Sequence, residues 1–170
     1  SALNSTGYLV EFNALWYNAL MFLLQMYADD KQMQSRVERW QKISDAYAES
    51  FAPTFLNDYG YLYDYVNGSY TDLSVRPNMV IAVGVDHTPL DRRQRKRILD
   101  FITRELLTPK GLRTLSPNSY GYNPWYVGNP EQREKAYYSG SARPWLMGFY
   151  CHAYVKVFGI GGLSFVNRMM

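Results

Sequence analysis

The chain has 170 residues, is 47% hydrophobic and 19% charged, and carries a formal charge of +3. This composition excludes a disordered polymer, and the charge is too small to imply a polyanion partner. Its single cysteine, Cys151, excludes an internal disulfide framework. The first element expected is a helix from about Val10 to Ala28. Phe12, Leu15, Trp16, Ala19, Leu20, Leu23 and Met26 fill one broad face, and Met21, Phe22 and Leu24 extend apolar character onto the other. A helix apolar on every side is normally buried. It nevertheless carries Glu11, Asn13 and Asn18, and a buried ionised carboxylate is costly unless paired, hydrogen-bonded or used.

Asp29 and Asp30 offer an N-cap for a second helix, roughly Lys31 to Phe51. Met33, Val37, Trp40, Ser44, Tyr47 and Phe51 line one stripe of it, and Pro53 follows. From Gly60 to Val75 the period changes to alternation, with Tyr61, Tyr63 and Tyr65 on one side and Asn67-Gly68 as a hairpin turn. Arg76-Pro77-Asn78 opens a short apolar helix, Met79 to Val83. Thr88-Pro89-Leu90-Asp91 predicts a helix start with Thr88 as cap, running to about Leu107. Leu90, Ile98, Phe101, Ile102 and Leu106 face inward there, with Arg92, Arg93, Arg95, Lys96 and Arg97 outside.

Thr108 to Arg143 is long, irregular and rich in Gly, Pro, Asn, Ser and Tyr. Such stretches in a compact domain are usually functional. Pro144 opens a helix that is apolar nearly all round to Phe158. Gly159, Gly161 and Gly162 break it, as a C-cap, and an apolar run from Leu163 to Met170 ends the chain. Buried helices alternate with amphipathic ones, as in an α/α toroid whose inner-helix ends line a central pocket. Glu11, Arg76, Asn78 and the loop before Pro144 all stand at helix entrances, where they can share one rim.

Glu11 is a candidate acid because burial tunes a carboxyl, or else a helix-start carboxylate favoured by the dipole. Arg76 and Asn78 form either a hydroxyl-binding clamp or a cap with an ion pair to Asp64 or Asp72. Asp64, between tyrosines, orients a sugar hydroxyl, pairs with Arg76 or is an exposed strand acid. The Arg92–Arg97 run lies on a solvated helix face without interleaved aromatics, so nucleic acid is not expected. His87, Cys151 and His152 have no metal-ligand spacing, and His152 is expected as a satisfied core residue. No nucleophile elbow or phosphate-cradling loop is present. The tyrosine excess (16 Tyr, with 8 Phe and 4 Trp) suits a groove that is both apolar and hydrogen-bonding. Carbohydrate and single-stranded nucleic acid fit such a groove about equally.

Four blocks occur in order: VEFNALWYNAL (Val10–Leu20), VRPNMVIAV (Val75–Val83), LLTPKGLRTLSP (Leu106–Pro117) and AYYSGSARPWLMG (Ala136–Gly148). They resemble the C-terminal amylo-α-1,6-glucosidase domain of glycogen debranching enzymes. The resemblance implies an all-α fold, roughly the second half of an (α/α)6 barrel with a small β-hairpin insertion, with residues 1–170 as a single fragment. It implies inverting hydrolysis of an α-1,6-linked glucose at a branch point, by two carboxyl groups about 6.5–9.5 Å apart. The family's general acid lies in a motif upstream of the matched region and its general base in one downstream. No catalytic residue is therefore expected in this chain, which should be inactive alone; Glu11 is the candidate if that expectation fails.

The residues that the resemblance places near substrate are Glu11, Trp16, Asp64, Arg76, Asn78, Arg113, Tyr138 and Trp145. It implies no cofactor and no metal. The partners expected are an α-glucan or oligosaccharide and the missing remainder of the barrel, or a second copy that rebuilds the ring. A membrane partner is not expected, because no run is long and apolar enough to span a bilayer, and the location expected is cytoplasmic. A non-catalytic carbohydrate-binding or interaction module built on half a toroid is the alternative. One departure stands out: where the family commonly reads like YHQGTVWPW, Tyr138 replaces a histidine and Arg143 an aromatic, which bears on sugar preference.

Overall fold

The computed structural model describes residues 6–169, a mostly helical chain with two small antiparallel sheets. β1 (Tyr8–Leu9) leads directly into α1 (Val10–Met26). The helix starts without a side-chain cap. Instead Leu9 is extended, and the Val10 amide donates to the Asp64 carbonyl at 3.0 Å. The buried stripe of α1 is Val10, Ala14, Tyr17, Leu20 and Leu24. Phe12 is 64% exposed and Trp16 47%, and Leu15, Phe22, Leu23 and Met26 also face outward. The expected broad face is thus mostly the uncovered one, although the half-exposed Trp16 ring reaches Tyr47 of α2. The two amides are structural. Asn13 donates to the Leu9 carbonyl and accepts the Tyr47 hydroxyl at 2.6 Å, and Asn18 accepts the His87 amide at 2.9 Å.

α2 (Gln34–Phe55) starts later and ends later than expected. Asp30 accepts the Gln32 amide in the turn before it, rather than capping the helix. Pro53 lies inside the last turn, which is held down by the buried rings of Phe51 and Phe55, 5.0 Å apart. β2 (Tyr65–Asn67) and β3 (Tyr70–Thr71) form the expected hairpin, but Asn67 pairs with Tyr70. The turn is therefore Gly68-Ser69, one residue further on, with Gly68 at φ +58°. β1 adds a third strand against β2.

α3 (Met79–Gly84) is buried at all six positions. A Cβ on Gly84 would stand 2.6 Å from the Phe149 carbonyl, so glycine is needed for the close approach of the helices there. α4 (Arg92–Glu105) is capped by Asp91 in a reciprocal box with Gln94, while Thr88 only closes a turn onto the Leu90 amide. Ile98, Leu99 and Ile102 are its buried face.

The stretch from 108 to 143 is not irregular throughout. β4 (Leu107–Thr108), β5 (Gly111–Arg113) and β6 (Ala142–Arg143) form the second sheet. Between them α5 (Pro130–Tyr138) starts from Asn129, boxed with Gln132 and with Pro130 at its first position. α6 (Met147–Phe158) follows a turn from Pro144, and α7 (Ile160–Asn167) follows at once through Gly159 at φ +61°. Gly159 does end α6, whereas Gly161 and Gly162 lie within α7. Met170, the end of the expected apolar run, lies outside the described residues.

α3 sits between α1 and α6, so these three form a row. α2 packs on α1, α4 packs on α3 and α6, and α7 folds back on α6. The core between these layers includes Leu62, Met79, Val80, Ile98, Leu99, Leu146 and Tyr150. His152 is half exposed and faces Asp86 at 3.7 Å, so it is a surface residue instead of the core histidine expected. No helix among the described residues is long and apolar enough to cross a membrane.

Candidate functional site

The entrances of α1 and α3 meet at Asp64, whose carbonyl accepts the Val10 amide and whose carboxyl accepts the Asn78 amide, and Arg76 ties them to the segment before α6 through the Tyr138 carbonyl. Asp64, in the segment leading into β2, is only 6% exposed. Its Oδ1 accepts the Asn78 side-chain amide at 3.0 Å, and its Oδ2 stands 3.8 Å from Arg76 Nε. Asn78 sits at the cap position of α3, yet its amide goes to Asp64 and not to the helix. Arg76 Nη1 donates to the Tyr138 carbonyl at 2.8 Å and to the Thr114 carbonyl at 3.3 Å. One guanidinium therefore joins the hairpin segment, the loop after β5 and the end of α5. Of the two acids proposed for Arg76, Asp64 is its partner, while Asp72 accepts the Ser74 amide.

The electrostatics favour a protonatable pocket. Burial pushes the Asp64 carboxyl up to about 7, with Glu11 adding to the rise and with Arg76 and Asn78 pulling it down. Burial also raises Glu11, and its Oε2 is buried without a hydrogen-bond partner. A carboxyl titrating near neutrality can donate as well as accept a hydrogen bond.

Arg76, Pro77, Asn78, Thr114, Tyr137, Tyr138, Arg143, Trp145 and Leu146 line a cleft of about 360 Å3, at the small end of the range for small-molecule sites. Trp145 presents an exposed ring to it. The Arg143 guanidinium lies 3.1 Å from the centre of the Tyr137 ring and fixes one wall. The GLRTLSP block forms the supporting loop. Ser116 donates its amide to the Val75 carbonyl, Ser119 Oγ accepts the Val75 amide, and Glu105 accepts from Ser116 and Asn118.

Of the residues named from the sequence, Arg76, Asn78, Tyr138 and Trp145 share this cleft. Asp64 touches Arg76 and Asn78, and Glu11 is coupled to it. Trp16 is not brought there; its ring packs 4.9 Å from Tyr47. Arg113 lies in β5 next to the site, but it is absent from the cleft lining. Tyr137 and Thr114 were missed. Tyr137 was signalled only by its place beside Tyr138, and Thr114 acts partly through its backbone carbonyl.

The basic run of α4 is largely engaged within the chain. Arg92 donates to the Val157 carbonyl, Arg97 to the Asp58 carbonyl and Lys96 to Asp100. A larger groove, about 640 Å3, is lined by Leu107, Lys110, Met147, Cys151 and Phe165 among others, with no carboxylate among the described residues that line it. Among the described residues, no three His, Cys, Asp or Glu side chains converge as a metal set.

The amylo-alpha-1,6-glucosidase family model matches residues 4–164. A glycogen debranching enzyme of Saccharomyces cerevisiae (strain ATCC 204508 / S288c) is 29% identical over 91 residues, which cover 50% of this chain and 6% of that protein. The chain thus spans a small fraction of the length of that relative.

Proposed function

This chain belongs to the amylo-alpha-1,6-glucosidase family, and from that premise we propose that it forms the glucose-holding part of an α-1,6-glucosidase site acting on α-glucan branch points. The single observation that carries this is the cleft where Arg76, Asn78, Tyr138 and Trp145 meet beside the buried Asp64. A glucosyl unit needs an apolar face against its C–H surface and donors and acceptors around its rim. Trp145 supplies the first. Asn78, held from behind by the buried Asp64, supplies the second. Arg76 holds the three segments in register and fixes the position of the Tyr138 main chain.

The row α1, α3 and α6, backed by α2 and α4, supports its assignment as part of an (α/α)6 ring with residues 1–170 as one unit. In that architecture the exposed aromatic side of α1 is the side that further helices, or a second copy of the chain, would cover. The cleavage itself would use the two carboxyl groups that the family carries outside these segments, so Glu11 and Asp64 bind and orient. No cofactor is needed for acid–base hydrolysis. The proposal extends to the cytoplasm as the place where such an enzyme would meet glycogen.

The test is direct. Residues 1–170 are assayed for binding of isomaltose and for glucose release from a branched limit dextrin. Binding without release is the expected outcome; no binding would overturn the assignment. A second reading is favoured by the unpartnered Glu11 Oε2 and the raised Asp64. If glucose is released and Glu11→Gln stops it, Glu11 becomes the prime catalytic candidate.

A further inference from the structure

α3 lies between α1 and α6, and each outer helix of this row has an uncovered side. On α1 that side is a ridge. Phe12, Leu15, Trp16 and Ala19 stand at i, i+3, i+4 and i+7, and Ala19, Phe22, Leu23 and Met26 repeat the spacing. All of them are exposed. The stripe runs for about 21 Å along the helix.

On α6 the uncovered side is a groove. It is the one of about 640 Å3, walled by Met147 and Cys151, by Phe165 and Met169, and by the β4–β5 turn that carries Lys110. Its walls are fixed. The Phe165 ring stacks on Tyr154 of α6, with centres 4.3 Å apart. α7 lies so close to α6 that a Cβ on Gly162 would stand 2.9 Å from the Tyr154 carbonyl. Thr108 Oγ1 donates to the Gly111 carbonyl at 2.8 Å and accepts the Lys110 amide at 3.1 Å, which holds the turn. A fixed apolar groove beside two packed helices suits an apolar helix stripe with anchors at i, i+3, i+4 and i+7.

Charge selects the stripe. Among the described residues, the charged groups lining the groove are Lys110 and Arg168, and neither is in an ion pair. From Tyr8 to Asp30 the chain carries three acids, Glu11, Asp29 and Asp30, and no lysine or arginine. Two grooves face to face would set cations against cations. Two ridges face to face would leave both grooves open to water. A ridge in a groove covers both apolar surfaces and sets the cations against a helix that has none.

We propose that this chain binds a second copy of itself head to tail, with α1 of one copy lying in the α6–α7 groove of the other. The contact is heterologous, because different surfaces of the two copies meet. The proposal rests on the partial-ring assignment and names the surface that covers α1.

The experiment uses two variants of the full 170-residue chain, each with circular dichroism unchanged. Phe12→Ser with Phe22→Ser spoils the ridge and keeps the groove. Lys110→Glu with Arg168→Glu turns the groove acidic and keeps the ridge; both side chains are exposed. In sedimentation velocity the parent chain should associate, and each variant alone should associate at least about tenfold more weakly. An equimolar mixture of the two should form a pair and nothing larger, since one intact ridge and one intact groove remain. N-ethylmaleimide labelling of Cys151, which lines the groove, should slow as the parent concentration rises. A groove variant that associates like the parent would overturn the proposal. So would a mixture no more associated than its parts, or Cys151 labelling that stays constant while the parent associates. Each of these leaves the partial ring standing. A parent chain monomeric at every concentration would overturn both the contact and the second copy as the cover of α1. The sugar cleft is judged separately, by the isomaltose titration.

Discussion

Asp64 and Arg76 meet at 3.8 Å beneath the cleft, and the carboxyl rests near neutrality despite the cation beside it. Burial outweighs the guanidinium because the pair is long and Arg76 spends its Nη1 on two backbone carbonyls. The ion pair is therefore a hinge of the site's assembly more than a source of stability.

Stability should fall with pH through this one group. A carboxyl whose native value is raised from 3.8 to about 7 binds its proton more tightly in the folded chain than in the unfolded one. Its contribution is fully present below the unfolded value and is lost as pH rises through 7, at no more than about 1.4 kcal/mol per pH unit. Asp64→Asn keeps an acceptor for Asn78 and removes the titration. Urea melts of this variant from pH 4.5 to 8 should show a flatter profile than the parent chain; parallel profiles would disprove the assignment.

Arg76→Ala leaves the Thr114 and Tyr138 carbonyls without their donor and Asp64 without its cation. The cost should reach about 3–5 kcal/mol at pH 8, as for other broken buried pairs. It should be smaller at pH 5, where Asp64 is protonated with or without Arg76. A pH-independent loss, measured by the same melts, would mean that the ion pair plays no part.

Tyr47→Phe tests the seam between α1 and α2. It removes the 2.6 Å hydrogen bond to Asn13 and should destabilise the chain by about 1–2 kcal/mol. In a double-mutant cycle with Asn13→Ala the two losses should be less than additive; full additivity would show that the bond contributes nothing.

The exposed side of α1 should make the chain self-associate. Phe12, Phe22 and Met26 stay more than half exposed along one helix. Sedimentation velocity should show concentration-dependent association that Phe12→Ser with Phe22→Ser reduces. A chain monomeric at every concentration would argue against the partial ring.

Most helices could be read from periodicity, because Ile98, Ile102 and Leu106 repeat at helical spacing against a charged face. α1 defeated the same rule. When Phe12, Leu15 and Trp16 are as apolar as Val10, Ala14 and Tyr17, spacing cannot tell which stripe is covered. α5 was legible in principle, since Asn129-Pro130-Glu131-Gln132 is a capping box with proline at the first position; the polar loop around it hid the signal. Thr88 and Asp91 are both good caps, and Asp91 prevails because only Gln94 can close the box. At the site, the motif residues Arg76 and Asn78 were legible, and the sequence left Asp64 and Asp72 both open as the partner of Arg76. What joined them to Tyr138 was not, because a backbone carbonyl leaves no mark in the sequence.

The most direct test of the central claim follows the side-chain N–H resonances of the 15N-labelled chain during titration with isomaltose. Trp145 lines the cleft, and Trp16 packs instead on Tyr47. Saturable shifts of the Trp145 indole and the Asn78 amide, with the Trp16 indole unmoved, are the predicted result. No shift at Trp145 and Asn78, or shifts centred on Trp16, would contradict it.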